Sequence, residues 1–228
     1  VQCNPPQKIN ATEKGWISLF DGKSIDNWKL TTENPSTFRV DSGMIIVNGP
    51  RAHLFYNGDV LNHDFKNFEL EMEWKVAKGA NSGIFFLAKE VEGQPIYISS
   101  PECQVLDNEN HPDAKMGVDG NRKSTSLYDM IPAKPQNGKP YGEWNKVKIR
   151  VNNGKVEHFQ NGVKVVEYTL WDKSCIDLLQ KSKFSEEKWP LAFELLSHVG
   201  GDSKSGVIGL QDHGNDVWFK NITVKVLK

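Results

Sequence analysis

The sequence predicts an all-β fold, a sandwich or barrel of antiparallel strands, and three observations carry that expectation. Short stretches alternating apolar and polar residues recur between turn signals, roughly a dozen of them in 228 residues. Two Asn-Gly dipeptides, Asn153–Gly154 and Asn161–Gly162, punctuate one such run, and that dipeptide supplies the positive φ angles a tight hairpin needs. Only residues 174–189 carry a helical pattern, with Ile176, Leu179 and Phe184 as its apolar stripe.

Taken in order, residues 1–14 are polar and include Pro5 and Pro6, which marks a flexible leader before a single domain spanning 15–228. "GWISLFDGKSIDNW" alternates Trp16, Ser18 and Phe20 and then turns at Asp21–Gly22. "STFRVDSGMIIVNG" is a hairpin: Phe38 and Val40, a turn at Asp41–Gly43, then Ile45 and Val47. In "FKNFELEMEWKV", Phe68, Leu70, Met72 and Trp74 share one face while Glu69, Glu71, Glu73 and Lys75 share a wet one. "NSGIFFLA" is apolar on both faces and belongs deeper in a sheet. Residues 101–117, "PECQVLDNENHPDAKMG", begin as a strand with Glu102 and Gln104 opposite Cys103 and Val105. They then enter a segment, 107–142, with four prolines and four glycines; loops of that length in a compact domain are functional or disordered. The two Asn-Gly turns join three strands into a meander over 143–168, and "SGVIGLQDHG" and "VWFKNITVKVL" supply the last strands.

Composition narrows the function classes. Lysine and arginine nearly balance aspartate and glutamate, for a formal net charge of −1 at pH 7. No basic block exists to grip nucleic acid or an anionic membrane. No apolar run approaches the roughly 18 residues a spanning helix needs. The three cysteines, Cys3, Cys103 and Cys175, have no zinc spacing and allow one disulfide at most, and Cys103 reads as a buried free thiol. A start at Val1 rather than Met suggests a removed leader, secretory processing and a cloning boundary being the two sources. Cys3 raises a lipoprotein anchor, which Gln2 disfavours because such processing wants a small residue there.

The spacing W-x-x-V-x-I followed by V-x-x-x-x-N-G, carried here by Trp144, Val147, Ile149, Val156 and Asn161–Gly162, resembles that of the concanavalin A-like jelly roll. The expected fold is therefore a concanavalin A-like jelly-roll β-sandwich with one short helix. The chain also resembles the 3-keto-disaccharide hydrolase domain family from about Gly15 to Leu227. The carrying blocks are "GWISLFDGKSIDNW", "GANSGIFF", "ECQVLDNENHPDAKMG", "SLYDMIPA", "KPYGEWNKVKIRV", "VEHFQNGVKVVEY" and "GVIGLQDHGNDVWFKNI", in that order. Cys103 departs from the pattern, where an aromatic or aliphatic residue is usual, but alternation points it coreward. The resemblance implies a secreted, periplasmic or cell-surface protein acting on glycosides oxidised at carbon 3. It also implies a separate oxidoreductase to make the 3-keto sugar. It does not assign the catalytic residues.

A 3-keto group acidifies the hydrogen on carbon 2, so one general base, one acid and one enolate stabiliser suffice for elimination, without the opposed carboxylates of ordinary glycosidases. On that reading Glu102, His111 and His213 are the candidate catalytic residues. Gln104, Asp107, Asp113, Lys115, Arg122, Tyr128, Gln211 and Asp212 are candidates for holding substrate. The bland alternatives are a wet strand face for Glu102 and Gln104, a turn cap for Asp107, and solvated or packed side chains for the rest. The face of His158 is undecided. "DNENHPD" resembles a calcium loop but fails the EF-hand pattern, with Pro112 at the sixth position and Val118 at the twelfth; an irregular divalent-metal site stays open.

Neither G-x-S-x-G, H-E-x-x-H, a P-loop nor a dinucleotide glycine motif occurs, which removes serine hydrolases, zinc proteases, kinases and dehydrogenases. Three classes remain: a 3-keto-glycoside-cleaving enzyme, a non-catalytic carbohydrate-binding module, and an ordinary concanavalin-like glycosidase. The module reading wants exposed aromatic platforms, whereas Trp16, Trp74, Trp144 and Trp218 all fall in strand patterns that predict burial. The glycosidase reading has only the glutamates of "FELEME", which the pattern leaves facing water. The dense titratable cluster favours the first.

Overall fold

The structure, a computed structural model, describes residues 15–31 and 36–228. The predicted leader and Cys3 lie outside them. In chain order the strands are β1 (Trp16–Ser18), β2 (Trp28–Leu30), β3 (Phe38–Asp41), β4 (Met44–Val47), β5 (Ala52–Tyr56), β6 (Phe68–Val76) and β7 (Asn81–Ala88). They continue with β8 (Glu102–Leu106), β9 (Asn145–Asn152), β10 (Lys155–Gln160), β11 (Val163–Thr169), β12 (Val207–Asp212) and β13 (Val217–Val226). One sheet runs β11-β10-β9-β6-β13-β4-β3 with β1 paired to β13; the other runs β2-β5-β12-β7-β8, and every pairing is antiparallel.

Side-chain alternation fixes how the sheets stack. Phe68, Leu70, Met72, Trp74 and Val76 of β6 point inward with Val147, Ile149 and Val151 of β9. They meet Leu54, Ile84, Phe86, Cys103, Val105 and Leu210 from the smaller sheet in one continuous core. Cys103 and Cys175 are both buried free thiols. The hairpin β3–β4 turns through Ser42 and Gly43, both at positive φ, and the meander β9–β10–β11 turns through Asn153–Gly154 and Asn161–Gly162 as the dipeptides require.

Two expectations need correction. The segment 174–189 is not one helix: α1 spans Lys173–Gln180 and a second helix, α2, spans Pro190–Ser197. The Ser182 hydroxyl donates to the Leu179 carbonyl, and the Lys183 amide donates to the Asp129 carboxylate, so the chain leaves the helical path to make a tertiary contact. Of the four tryptophans expected to be buried, only Trp74 is. Trp16, Trp144 and Trp218 are half-buried, and Trp144 and Trp218 flank the Lys75 ammonium at 5.0 and 4.9 Å. No helix among the described residues is long and apolar enough to cross a membrane.

Candidate functional site

A cleft of about 360 Å³ lies on the outer face of the five-stranded sheet, within the roughly 300–1,000 Å³ of small-molecule sites. The alternation that sends Leu54, Ile84, Cys103 and Leu210 to the core sends His53 of β5, Asn81 of β7, Glu102 of β8 and Gln211 of β12 to this face. Loops build the walls. Pro95 and Tyr97 come from the turn after β7, Asp113 and Tyr128 from the long 107–142 segment, and Lys183 from the link between α1 and α2. Asp212 and His213 stand at the end of β12, and Arg51 precedes β5.

Glu102 lies across Gly83 of the neighbouring strand. A Cβ at position 83 would sit 2.3 Å from Glu102 Oε1, so only glycine leaves room for this carboxyl. Glu102 is 8% exposed. Burial pushes its carboxyl up to about 8 against the pull of the Lys183 charge, so it is largely protonated at neutral pH. Lys183 Nζ donates to the Tyr128 hydroxyl at 3.2 Å and lies 4.5, 5.1 and 5.6 Å from the rings of Tyr128, Phe184 and Tyr97. Burial, with help from the Arg122 charge, holds the Lys183 ammonium below its ordinary range, and burial pushes the Tyr128 phenol up.

That cation is held in place by a relay. The Asp129 carboxylate accepts the Lys183 amide at 2.8 Å and Arg122 Nε at 2.6 Å, while Arg122 Nη1 donates to Asp113 at 3.1 Å. Arg122 therefore pins two carboxylates of the loop with one planar fork.

The β12 end supplies a different set. Burial raises the Asp212 carboxyl to about 6 despite a hydrogen bond from the Gly214 amide at 2.8 Å, and its Oδ2 has no hydrogen-bond partner among the described residues. His213 is pushed down by burial and by the charges of Arg51 and His111. His53, stacked on Phe55 and tilted against Phe85, is pushed down by burial to about 4, and its Nε2 is likewise without a partner. Near neutral pH the cleft thus combines a protonated carboxyl, an ionised carboxylate, two neutral imidazoles and an ammonium. Environments that push neighbouring groups apart in this way separate acid from base.

Of the candidates named from sequence, the cleft gathers Glu102, Asp113, Tyr128, Gln211, Asp212 and His213. The others do different work. Gln104 is buried beneath the long loop, where its Nε2 donates to the Arg122 carbonyl at 2.9 Å. Asp107 anchors the loop by accepting the amides of Gly79, Glu109 and Asn110 and the Asn110 side chain. Burial would raise its carboxyl, but these bonds outweigh that and hold it below the ordinary range. Arg122 is the fork just described, and Lys115 is exposed outside the cleft. His111 stands behind the wall: its Nδ1 accepts the Asp113 amide at 3.0 Å and its ring meets His213 edge-on at 6.3 Å. His158 is in the core, its Nδ1–H donating to the Thr125 carbonyl at 2.8 Å, and it is pushed down by burial to about 4. Among the described residues no three of His, Cys, Asp and Glu converge as a metal-holding group. The glutamates of "FELEME" face outward from the other sheet, with Glu69 and Glu71 paired to Arg150 and Lys146.

Sequence reasoning missed Arg51, His53, Asn81, Pro95, Tyr97 and Lys183. His53 carried the one usable signal, a titratable residue alternating with Ala52, Leu54 and Tyr56 in "AHLFY". Lys183 carried none, because its role comes from the break between two helices.

Comparison with known proteins gives consistent matches. A family described as a 3-keto-alpha-glucoside-1,2-lyase-like domain matches residues 15–225. A Bacteroides thetaiotaomicron protein named 3-keto-disaccharide hydrolase is 57% identical over 228 residues, 93% of this chain and 79% of that protein. The crystal structure of a candidate glycosyl hydrolase from Parabacteroides distasonis superposes with a TM-score of 0.76 at 25% identity, over 94% of each chain. A Bacillus subtilis protein with a galectin-like fold, 13% identical, superposes at 0.51 over 90% of this chain and 92% of its own, a likeness of fold alone.

Proposed function

The chain belongs to the 3-keto-alpha-glucoside-1,2-lyase-like family, and on that premise we propose that it is a glycoside-cleaving enzyme acting on sugars oxidised at carbon 3. The observation that carries this reading is the pairing, in the walls of one cleft, of the Glu102 carboxyl, raised by burial to about 8, with the Asp212 carboxyl, raised only to about 6. Elimination needs that pair. Asp212 takes the carbon-2 proton, and the C–H electrons pass to an enolate on the carbon-3 oxygen. The enolate re-forms the ketone, carbon 1 and carbon 2 become doubly bonded, and the bond from carbon 1 to the aglycone oxygen breaks. Glu102 gives that oxygen its proton. Water then adds across the double bond to give the free 3-keto sugar. The Lys183 ammonium and Tyr128 hydroxyl supply charge and a hydrogen bond for the transient oxyanion, and the neutral His213 supports substrate hydroxyls beside Asp212.

The ketone is the reason an unoxidised glucoside should be inert. Without it the carbon-2 hydrogen is far too weak an acid for a carboxylate whose catalysis is worth about 10²–10⁴-fold. An oxidoreductase acting earlier must install the ketone. Family resemblance to secreted proteins supports action outside the cytoplasm, which fractionation of the producing cell tests.

Reaction of a 3-keto-glucoside in deuterated water decides the chemistry. Deuterium at carbon 2 of the product, above an enzyme-free control, is expected. Cleavage without label at carbon 2 would mean displacement at carbon 1, and binding without cleavage would make the protein a carbohydrate-binding module.

A further inference from the structure

A second cleft of about 580 Å³ adjoins the first, and the two share His53 and Pro95 in their walls. Its floor is apolar, made by Phe55 and Ile96, while the exposed loop after β7 sets Glu90, Glu92 and Gln94 on its rim. The Phe55 ring packs directly over Gly209, where a Cβ would lie 2.5 Å from the ring, so only glycine leaves room for this floor.

Resting on the function proposed above, the geometry points to the second cleft as the site of the leaving group, and to a neutral pyranose as the group it takes. A pyranose has a C–H face that packs on an apolar floor and hydroxyls that donate to carboxylates and amides along an edge. The rim carries two carboxylates, and among the described residues only one is answered by a cation, Lys29, 3.3 Å from Glu90. A phosphorylated or uronic-acid leaving group meets uncompensated like charge there. His53 stands at the seam, in the walls of both clefts, where a substrate spanning them would pass.

The test compares a glucose disaccharide oxidised at carbon 3 of its non-reducing ring with the methyl glucoside oxidised at the same carbon. Glu92 and Gln94 are exposed, so the double variant Glu92→Ala/Gln94→Ala should fold. Losing two hydrogen bonds should lower the ratio of kcat/KM values, disaccharide over methyl glucoside, by about tenfold. An unchanged ratio overturns the proposal. Backbone amide shifts give an arm independent of turnover: plain cellobiose, but not methyl glucoside, should shift the amides of Glu90, Glu92 and Gln94. If the wild-type protein cleaves neither oxidised substrate, the reaction proposed above fails, yet the amide shifts still decide the cleft. Equal shifts with both ligands, or none with cellobiose, overturn it.

Discussion

The outer faces of the two sheets start from the same sequence device and end in opposite chemistry. On the eight-stranded sheet the polar alternates pair across strands whether half-buried or buried: Glu71 with Lys146 at 3.4 Å, Glu69 with Arg150 at 3.3 Å, and Glu157, as buried as Glu102, with Arg150 and Lys164, each at 3.4 Å. On the five-stranded sheet the alternates His53, Glu102 and Gln211 line the loop-walled cleft and have no such partners among the described residues. Both faces are rich in titratable groups, so density is not what marks a site. Burial without an ion pair is: Glu157 is as buried as Glu102 but meets Arg150 and Lys164. The long 107–142 segment and the α1–α2 link cover the five-stranded face, and the resulting desolvation displaces the protonation equilibria there.

The comparison breaks most sharply at its two glutamates. Glu102→Gln should lower kcat on a 3-keto-glucoside by about 10²–10⁴-fold, while Glu71→Gln on the opposite sheet leaves it unchanged. The pH profile supplies the mechanism. Asp212 must be ionised and Glu102 protonated, so activity should rise through about pH 6 and fall through about pH 8. If Glu102 only filled space, the glutamine variant would keep both the rate and the alkaline limb.

A smaller kinetic effect is expected at Gly83, which touches no substrate. Gly83→Ala would place a Cβ 2.3 Å from Glu102 Oε1, and the side chain would have to move. Displacing a catalytic group by about an ångström costs on the order of 10²-fold in rate. The backbone there is ordinary strand, so melting temperature should change little, and a loss of stability matching the loss of activity would refute this account.

Cover should also carry a stability cost. The folded value of Glu102, about 8, lies above its unfolded 4.5, so the folded state binds more protons between those values and stability falls as pH rises through that window. At pH 7 the penalty is on the order of 3 kcal/mol. Glu102→Gln removes the titration, so its melting temperature relative to wild type should climb from pH 4.5 to pH 8 and then level off. A pH-independent difference would mean the carboxyl is better solvated than its burial implies.

These contrasts also explain what could be read in advance. The two faces of β6 and the β9–β10–β11 meander were legible because period-two alternation and Asn-Gly turns are local signals. Glu102 stood out because it alternates with Cys103 and Val105. Nothing local distinguished its face from that of Glu71, since the loop covering it returns from far along the chain. Gln104 and Asp107 were misplaced for the same reason: one is used to hold the Arg122 carbonyl, the other to close the loop on Gly79. Lys183 was hidden by a helical pattern that tertiary contact with Asp129 interrupts.

The smallest effect belongs to the wet face, and it sharpens the comparison by being small. The Glu71 side chain is 24% exposed and that of Lys146 is 60% exposed, with 3.4 Å between charged atoms. Such a pair gains little Coulomb energy in high dielectric and loses side-chain entropy, so Glu71→Gln should cost about 0–1 kcal/mol. Salt screens what remains, because the Debye length shrinks from about 10 Å at 0.1 M to about 3 Å at 1 M. Denaturant melts of wild type and Glu71→Gln should therefore converge as salt rises, whereas the pH-dependent gain of Glu102→Gln, set by burial, should persist. If the Glu71 difference survived 1 M salt at several kcal/mol, the eight-stranded face would be desolvated too, and cover would no longer distinguish the two sheets.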